Sequence, residues 1–360
     1  MGNSSFHDEP YDAGTLTKLK IFELYAQEWI PVFVSKPEPS YREIHVFDMF
    51  CGPGTDSVGV PGSPLRILGQ LRAYEAAAMA GWSKVRIVAH LSDADGGKIV
   101  RLAETLKSPE WRIPGVEIEA RAIMFRDALD LHRAVLDNPC VAKLLIIDQF
   151  GVDEVTDDVF QQLITFPRTD FIFFLSSSTL YRFREHPAIK IKIDKPDDSY
   201  DVHRATFDWF RKLAPPSVFL GRFSIRKRSN IYGLIFGSQH PLGIHKFLQV
   251  AWRNDEIAGE ANFDIEREHI APGELLLPMN EFRPNKIQEF EADLEAALRA
   301  GAMHSEADVI RFCIESGMTC QHSTPVLQKL KSERVIGCDF RTPSIRNFYN
   351  PRPIVLKQAP

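Results

Sequence analysis

The sequence has no apolar run long enough to cross a bilayer. Its longest, such as "LLII" and "FIFFL", fall far short of the roughly 20 residues a membrane helix needs. It has no C-x-x-C pair either. Its five cysteines, Cys51, Cys140, Cys313, Cys320 and Cys338, form an odd and scattered set, which fits free thiols in a reducing compartment rather than a disulfide framework. Cys313, Cys320, His322 and Cys338 cluster near the C-terminus, but without paired spacing they argue against zinc, and no metal site is expected. The opening "MGNSSFHDEP" lacks the apolar core of a secretory signal, and Phe6 stands where the myristoylation pattern needs Ser or Thr. A cytoplasmic protein without a membrane anchor is the expectation. Positive charge is also scarce. With 43 Lys and Arg against 48 Asp and Glu, the formal net charge is −5, so any contact with nucleic acid must come from local patches. There is no internal repeat and no low-complexity segment.

What is present is an ordinary globular composition, 44% hydrophobic and 25% charged over 360 residues, enough for one large and one smaller domain. Residues 15–34 place Leu19, Phe22, Tyr25, Ala26, Trp29 and Ile30 at three-and-four spacing, which predicts an amphipathic helix ending at or near Pro31. The apolar stretches "EIHVFDMF", "KVRIVAHLSD", "VEIEARAIMF", "AKLLIIDQF" and "TDFIFFLSSS" then alternate with helical patterns, which predicts a parallel sheet covered on both faces. "GRFSIRKRSNIYGLIFGSQ" reads instead as a hairpin turning at "KRSN". An antiparallel pair ending a parallel sheet leads one to expect the seven-stranded methyltransferase variant of the Rossmann plan. "NKIQEFEADLEAALRAG" is a connecting helix closed by Gly301, and the helix, turn, helix, strand, strand pattern after it resembles a winged helix-turn-helix. The expected domains are therefore residues 1–285, an α/β Rossmann-like domain, and 286–360, the connecting helix and winged helix.

Four strand ends carry the candidate chemistry. "FDMFCGPG" puts Asp48 at the end of the first strand, before Gly52 and Gly54, where an open parallel sheet binds nucleotide-like ligands. A dinucleotide fingerprint needs a third glycine at 57, where Ser57 stands, and the next helix cap is Ser63-Pro64. That long turn holds a helix N-terminus away from a pyrophosphate. S-adenosylmethionine (SAM), which has no phosphate, fits better, with Asp48, Phe50, Gly52 and Gly54 as expected contacts. "AHLSDADG" ends the second strand with Asp93 and Asp95, either of which could accept hydrogen bonds from ribose hydroxyls or cap the next helix; Asp95 is favoured. Asp127, after the third strand, is placed for the adenine amino group or for a helix cap.

"LLIIDQFGVDE" delivers Asp148 to the sheet edge beside the first strand. A carboxylate there can accept a proton or hydrogen bond from an attacking group, and a helix cap is the plainer alternative. Phe150 could stack on a base or pack in the core. "RKR" at 226–228 sits at the hairpin tip, where it could touch phosphate or be a solvated turn. Residues 301–360 hold eight Lys or Arg against five Asp or Glu. In a winged helix, Gln328, Lys329, Lys331 and Arg334 would face a duplex groove; protein docking is the equal alternative.

The combination of "TKLKIFELYAQEWI", "FDMFCGPG", "GSPLRIL", "IDQFG" and "IYGLIFGSQHPLG" resembles the three-Cys-motif partner protein (TcmP) family over most of residues 15–255, and "ESGMT" looks like the winged-helix module often attached to it. These are bacterial and phage proteins predicted to be SAM-dependent methyltransferases and associated with a radical-SAM-like partner. The resemblance implies SAM at Asp48, Gly52, Gly54 and the acidic end of the second strand, and a substrate-side role for Asp148. The family's usual form at the fourth strand is also similar to that of the tRNA guanine-N2 methyltransferases. The family usually reads D-P-Y/F-G at the fourth strand; here Gln149 replaces the proline, which removes a fixed φ while offering an amide to a base edge. Asp148, Gln149 and Phe150 are thus the expected catalytic group. The expectation is a class I methyltransferase acting on a nucleic acid or modified nucleobase, with a non-catalytic SAM-binding scaffold as the rival. An NAD-dependent oxidoreductase is disfavoured by Ser57 and the long loop.

Overall fold

A computed structural model describes residues 9–149, 154–175, 199–227, 230–262 and 285–357, the backbone alone at 199–202, 227 and 230. The chain divides into two compact units, residues 1–243 and 244–360.

The first unit is built on β1 (Glu43–Asp48), β2 (Arg86–Asp93), β3 (Val116–Ala122), β4 (Ala142–Ile147), β5 (Thr169–Leu175), β6 (Phe219–Lys227) and β7 (Asn230–Ser238), in the order β3-β2-β1-β4-β5-β7-β6. The first five run parallel, and β7 enters antiparallel between β5 and β6. This seven-stranded mixed sheet has a doubly wound, Rossmann-like order. The order reverses between β1 and β4, and the crevice outside the carboxyl ends of the strands at such a reversal is where open α/β sheets take ligands.

Helices cover both faces because β1, β2, β4 and β5 are buried on both. On one side, α1 (Ala13–Val34) packs on α2 (Ser63–Ala76) and reaches β6. On the other, α4 (Phe125–Leu131), α6 (Asp157–Leu163) and α7 (Ser199–Leu213) close over Phe47, Leu145, Ile147, Phe171 and Phe173 in one apolar core. A short α5 (Arg133–Leu136) follows α4, and α3 (Gly96–Leu106) packs beside β2 and β3. Side chains alternate across a strand. With Phe47 committed to the α4 side, Val46 and Asp48 therefore face α1 and α2.

Helix α1 does not stop at Pro31 but continues to Val34. A proline inside a helix leaves the carbonyl four residues earlier without its N–H. Here that carbonyl belongs to Gln27, and the Tyr74 hydroxyl of α2 donates to it at 2.6 Å. The defect is repaired from a neighbouring helix, so α1 keeps its full length across the sheet.

In the second unit, helices Lys286–Arg299, Glu306–Glu315 and Thr324–Ser332 precede a two-residue ladder pairing Ile336–Gly337 with Val355–Leu356. The expected caps are there in part. Ser305 and Asp308 form a reciprocal capping box, and Gly301 ends the first helix at φ +67°, whereas Ser323 makes no side-chain cap bond. The unit's apolar core includes Phe290, Leu294, Leu298, Val309, Leu327 and Leu330. Buried Glu306 fastens the tail: Arg352 donates to it at 2.6 and 2.8 Å, Ser344 N at 2.6 Å and Asn347 Nδ2 at 3.0 Å.

Candidate functional site

Register brings three carboxylates to one edge. Asp48 lies opposite Leu91 of β2 and Ile146 of β4, so Asp93 and Asp148 stand two residues further along the flanking strands. Beside them is a cavity of about 290 Å³ whose walls come from the N-terminal arm and α1 (Tyr11, Thr15, Lys18, Leu19), the glycine turn (Phe50, Cys51, Gly62, Ser63), the end of β2 (Asp93 to Asp95, Lys98) and the end of β4 (Asp148, Glu154). That is near the lower end of the range for small-molecule pockets, about 300 Å³.

The turn after β1 is shaped by backbone that side chains would obstruct. Gly52 and Gly54 have φ of +61° and +94°, in the left-handed region open to glycine, and a Cβ on Gly54 would come 2.9 Å from Leu102 Cδ1. The turn is long, as expected, but it does not hold the next helix away. Asp56 gathers residues 56–60 into a side loop, accepting from Val58 N at 3.1 Å and Val60 N at 2.7 Å, and its other oxygen accepts from Tyr11 N at 2.8 Å. Gly62 N then donates to Gly54 O at 2.7 Å, so α2 starts beside the glycine turn and Ser63 lines the cavity. Loop length therefore gives no ground for excluding a phosphate.

Charge does. The cavity walls carry Asp93, Asp95, Asp148 and Glu154 against Lys18 and Lys98, an excess of negative charge that repels a pyrophosphate and favours a cation. Two of the carboxylates have cationic neighbours. Lys18 Nζ is 2.6 Å from Asp148 Oδ1, with side chains only 7% and 14% exposed, and lies 4.4 Å above the Phe174 ring. Lys98 Nζ is 3.8 Å from Asp93 Oδ2, which also accepts from Gly52 N at 3.1 Å, while Asp93 Oδ1 accepts from Asp95 N at 2.9 Å.

Asp48 has no such counterion. It is wholly buried, Oδ1 accepts a 3.3 Å bond from Phe50 N, and Oδ2 has no hydrogen-bond partner among the described residues. Burial pushes its pKa up to about 7, with Asp148 and Asp93 adding to the rise against the opposing Ser63 hydroxyl and Phe50 N–H. A buried carboxyl without a complete set of partners is costly, and such groups concentrate at functional sites.

The remaining candidates take other places. Asp95 is exposed at the cavity rim and caps α3, accepting from Gly97 N at 2.8 Å and Lys98 N at 3.3 Å. Asp127 is exposed in the first turn of α4, away from the cavity walls, and the cap position is Met124. Phe50 faces the cavity and packs on Phe125 at 5.3 Å. Gln149 is 1% exposed and fully engaged with backbone: Nε2 donates to Phe174 O at 2.7 Å, and Oε1 accepts from Glu154 N and Val155 N at 3.2 Å each. Its amide ties the end of β4 to the end of β5 and offers nothing to a base edge. Phe150 and Gly151 lie outside the described residues, as does Arg228 of the basic run.

Sequence reasoning overlooked Tyr11, Lys18, Ser63, Lys98 and Glu154. The signal for Lys18 was present: it precedes Phe22 by four residues, Tyr25 by seven and Trp29 by eleven, on the buried stripe of α1. A lysine on such a stripe needs an acidic partner. In the second unit, the half-exposed Lys329 pairs with Glu295 at 2.7 Å and Lys331 donates to Phe340 O at 3.1 Å. Arg334 lies beyond the helix end, at φ +60°. Cys320 Sγ lies 3.8 Å from His245 Nδ1, and among the described residues no group of His, Cys, Asp or Glu could hold a metal. Nor is any helix there long and apolar enough to cross a membrane.

No protein-family model and no curated protein matches the sequence. Solved structures similar to the chain include a SAM-dependent methyltransferase from Agrobacterium tumefaciens (9% identity, 63% of this chain and 62% of that one, TM-score 0.34). Others are an O-methyltransferase from Bacillus cereus in complex with SAH (16%, 65% and 83%, 0.34) and an rRNA methylase from Streptococcus thermophilus (12%, 62% and 96%, 0.31). The chain thus spans less than two thirds of the first of these. None of them fixes a cofactor or acceptor for this chain.

Proposed function

We propose that the first unit is a methyltransferase that binds SAM in the cavity at the ends of β1, β2 and β4. The observation that carries this reading is the buried, counterion-free Asp48 behind an acid-rich wall, at the foot of the glycine turn whose Phe50 and Cys51 line the cavity. SAM is cationic and has no phosphate, which suits that charge, and the start of α2 offers the positive end of a helix dipole to a carboxylate. The residues that would hold it are Phe50, Gly52 and Gly54 of the turn, Asp93 and Asp95 at the end of β2, and Asp48 as the buried countercharge. When bound, it supplies an electrophilic methyl group. The chain's own contribution is alignment and the exclusion of water, with Asp148 on the acceptor side.

The proposed acceptor is a nucleic acid or modified nucleobase, recruited by residues 286–360 acting as a winged-helix module, with a three-Cys-motif, radical-SAM-like protein as partner. The excess of eight Lys or Arg over five Asp or Glu in residues 301–360 supports the first of these. A SAM-binding scaffold that transfers nothing is the second reading, and the complete engagement of Gln149 with backbone favours it. Calorimetry with SAM and S-adenosylhomocysteine (SAH) tests the core of the proposal. The wild type should bind in the micromolar range, and Asp93→Ala and Gly54→Val should not. Folded wild-type protein that binds neither ligand would refute it. Transfer of labelled methyl from SAM to total RNA or DNA then separates the enzyme from the scaffold.

A further inference from the structure

Lys18 is the feature of the cavity that SAM binding does not explain. It reaches from α1 to Asp148, the carboxylate on the acceptor side, at 2.6 Å, and both side chains are nearly buried. The Phe174 ring lies 4.4 Å from the ammonium, and both residues of the pair line the cavity. At so short a distance and with little solvent, the two charges act on a ligand as a neutral couple. Asp148 Oδ1 is taken by Lys18, and among the described residues no donor is bonded to Oδ2.

This bears on what the cavity can methylate. An amine acceptor gains positive charge as its new bond forms, and an unopposed carboxylate would stabilise that charge. An oxygen acid instead sheds a proton, and a fixed ammonium favours the developing negative charge on oxygen while the carboxylate can take the proton. Resting on the SAM reading of the site, we propose that Lys18 is a specificity-determining residue. It cancels the charge of Asp148, so that this end of the cavity discriminates against cationic groups and takes a neutral oxygen acceptor, such as a hydroxyl, rather than an amine.

Binding measurements test this without knowledge of the acceptor. SAM carries a sulfonium, SAH is neutral at the same place, and sinefungin puts an ammonium there. The affinities of the two cationic ligands relative to SAH in wild-type protein set the reference ratios. Lys18→Met should shift both ratios about tenfold toward the cations, Lys18→Arg should leave them at the wild-type value, and Asp148→Asn, which leaves Lys18 unopposed, should shift them the other way. Retained SAH binding with unmoved ratios in Lys18→Met or in Asp148→Asn would overturn the proposal, and either variant suffices if the other does not fold. If none of the three ligands binds folded wild-type protein, the SAM reading itself fails and this inference falls with it.

Discussion

Replacing Asp48 by Asn should stabilise the protein, and the gain should depend on pH. Asp48 is wholly buried, and its pKa stands at about 7, against an ordinary value of 3.8. Between these values the folded chain holds a proton on Asp48 that the unfolded chain has released. Stability therefore falls as pH rises through this window, by about 1.4 kcal/mol per unit, and the full cost of ionising the group above pH 7 is about 4 kcal/mol. An asparagine side chain does not titrate, so the variant escapes this loss.

Urea unfolding of both proteins at pH 5 and pH 8 measures the difference. From pH 5 to about 7 the stability gap in favour of Asp48→Asn should widen by about 3 kcal/mol and then level off. The same variant should bind SAM at least tenfold more weakly at pH 8, because the buried countercharge is gone. A gap that does not change with pH would mean that Asp48 ionises freely in the folded protein. The argument from an unmatched buried carboxyl to a cationic ligand would then collapse. A pH-dependent gap with unchanged SAM affinity would leave the carboxyl buried but remove its role in binding.

Gln149→Ala should cost about 2–3 kcal/mol in thermal or urea unfolding, since it strips partners from the backbone of Phe174, Glu154 and Val155; a loss under about 0.5 kcal/mol would show that the amide fastens nothing. Glu306→Ala should destabilise the second unit by about 1–3 kcal/mol by removing the acceptor of Ser344 N, Asn347 Nδ2 and Arg352, seen as faster amide exchange across residues 306–357, and unchanged protection there would refute it. Gly62→Ala should cost about 1–3 kcal/mol, because the new methyl would sit 3.0 Å from Tyr11 Oη and 3.2 Å from Gly54 O. An unaltered melting temperature for that variant would mean that the arm carrying Tyr11 yields freely.

The sheet was legible because its strands are nearly continuous apolar runs, and a polar residue closing such a run marks the sheet edge. Asp48, Asp93 and Asp148 each close one, and the register brings their ends together. What sequence reasoning could not reach was distance through space. The interval from Gly54 to Ser63 looked too long for a helix to start at the turn, but Asp56 folds the excess aside and Gly62 returns to bond Gly54. Lys18, more than a hundred residues from Asp148, carried only the clue of its place on an apolar stripe.

Gln149 shows the same limit from the other direction. Read by residue type, a glutamine where a related motif has proline loosens the turn and offers an amide to a ligand. In the folded chain, three hydrogen bonds tie that side chain to the backbone of both β5 and the segment after β4. Proline would stiffen one torsion from within, whereas Gln149 clamps the ends of the turn from outside. The two residues can therefore restrain the same strand end, so the departure from the motif bears on what that end offers to a ligand and not on its stiffness. The consequence falls on Asp148, the residue just before the clamp. Fixed on its backbone by the neighbouring glutamine and on its carboxylate by Lys18, it has little freedom to rearrange. Its chemistry is then set by the ammonium beside it more than by the motif in which it stands.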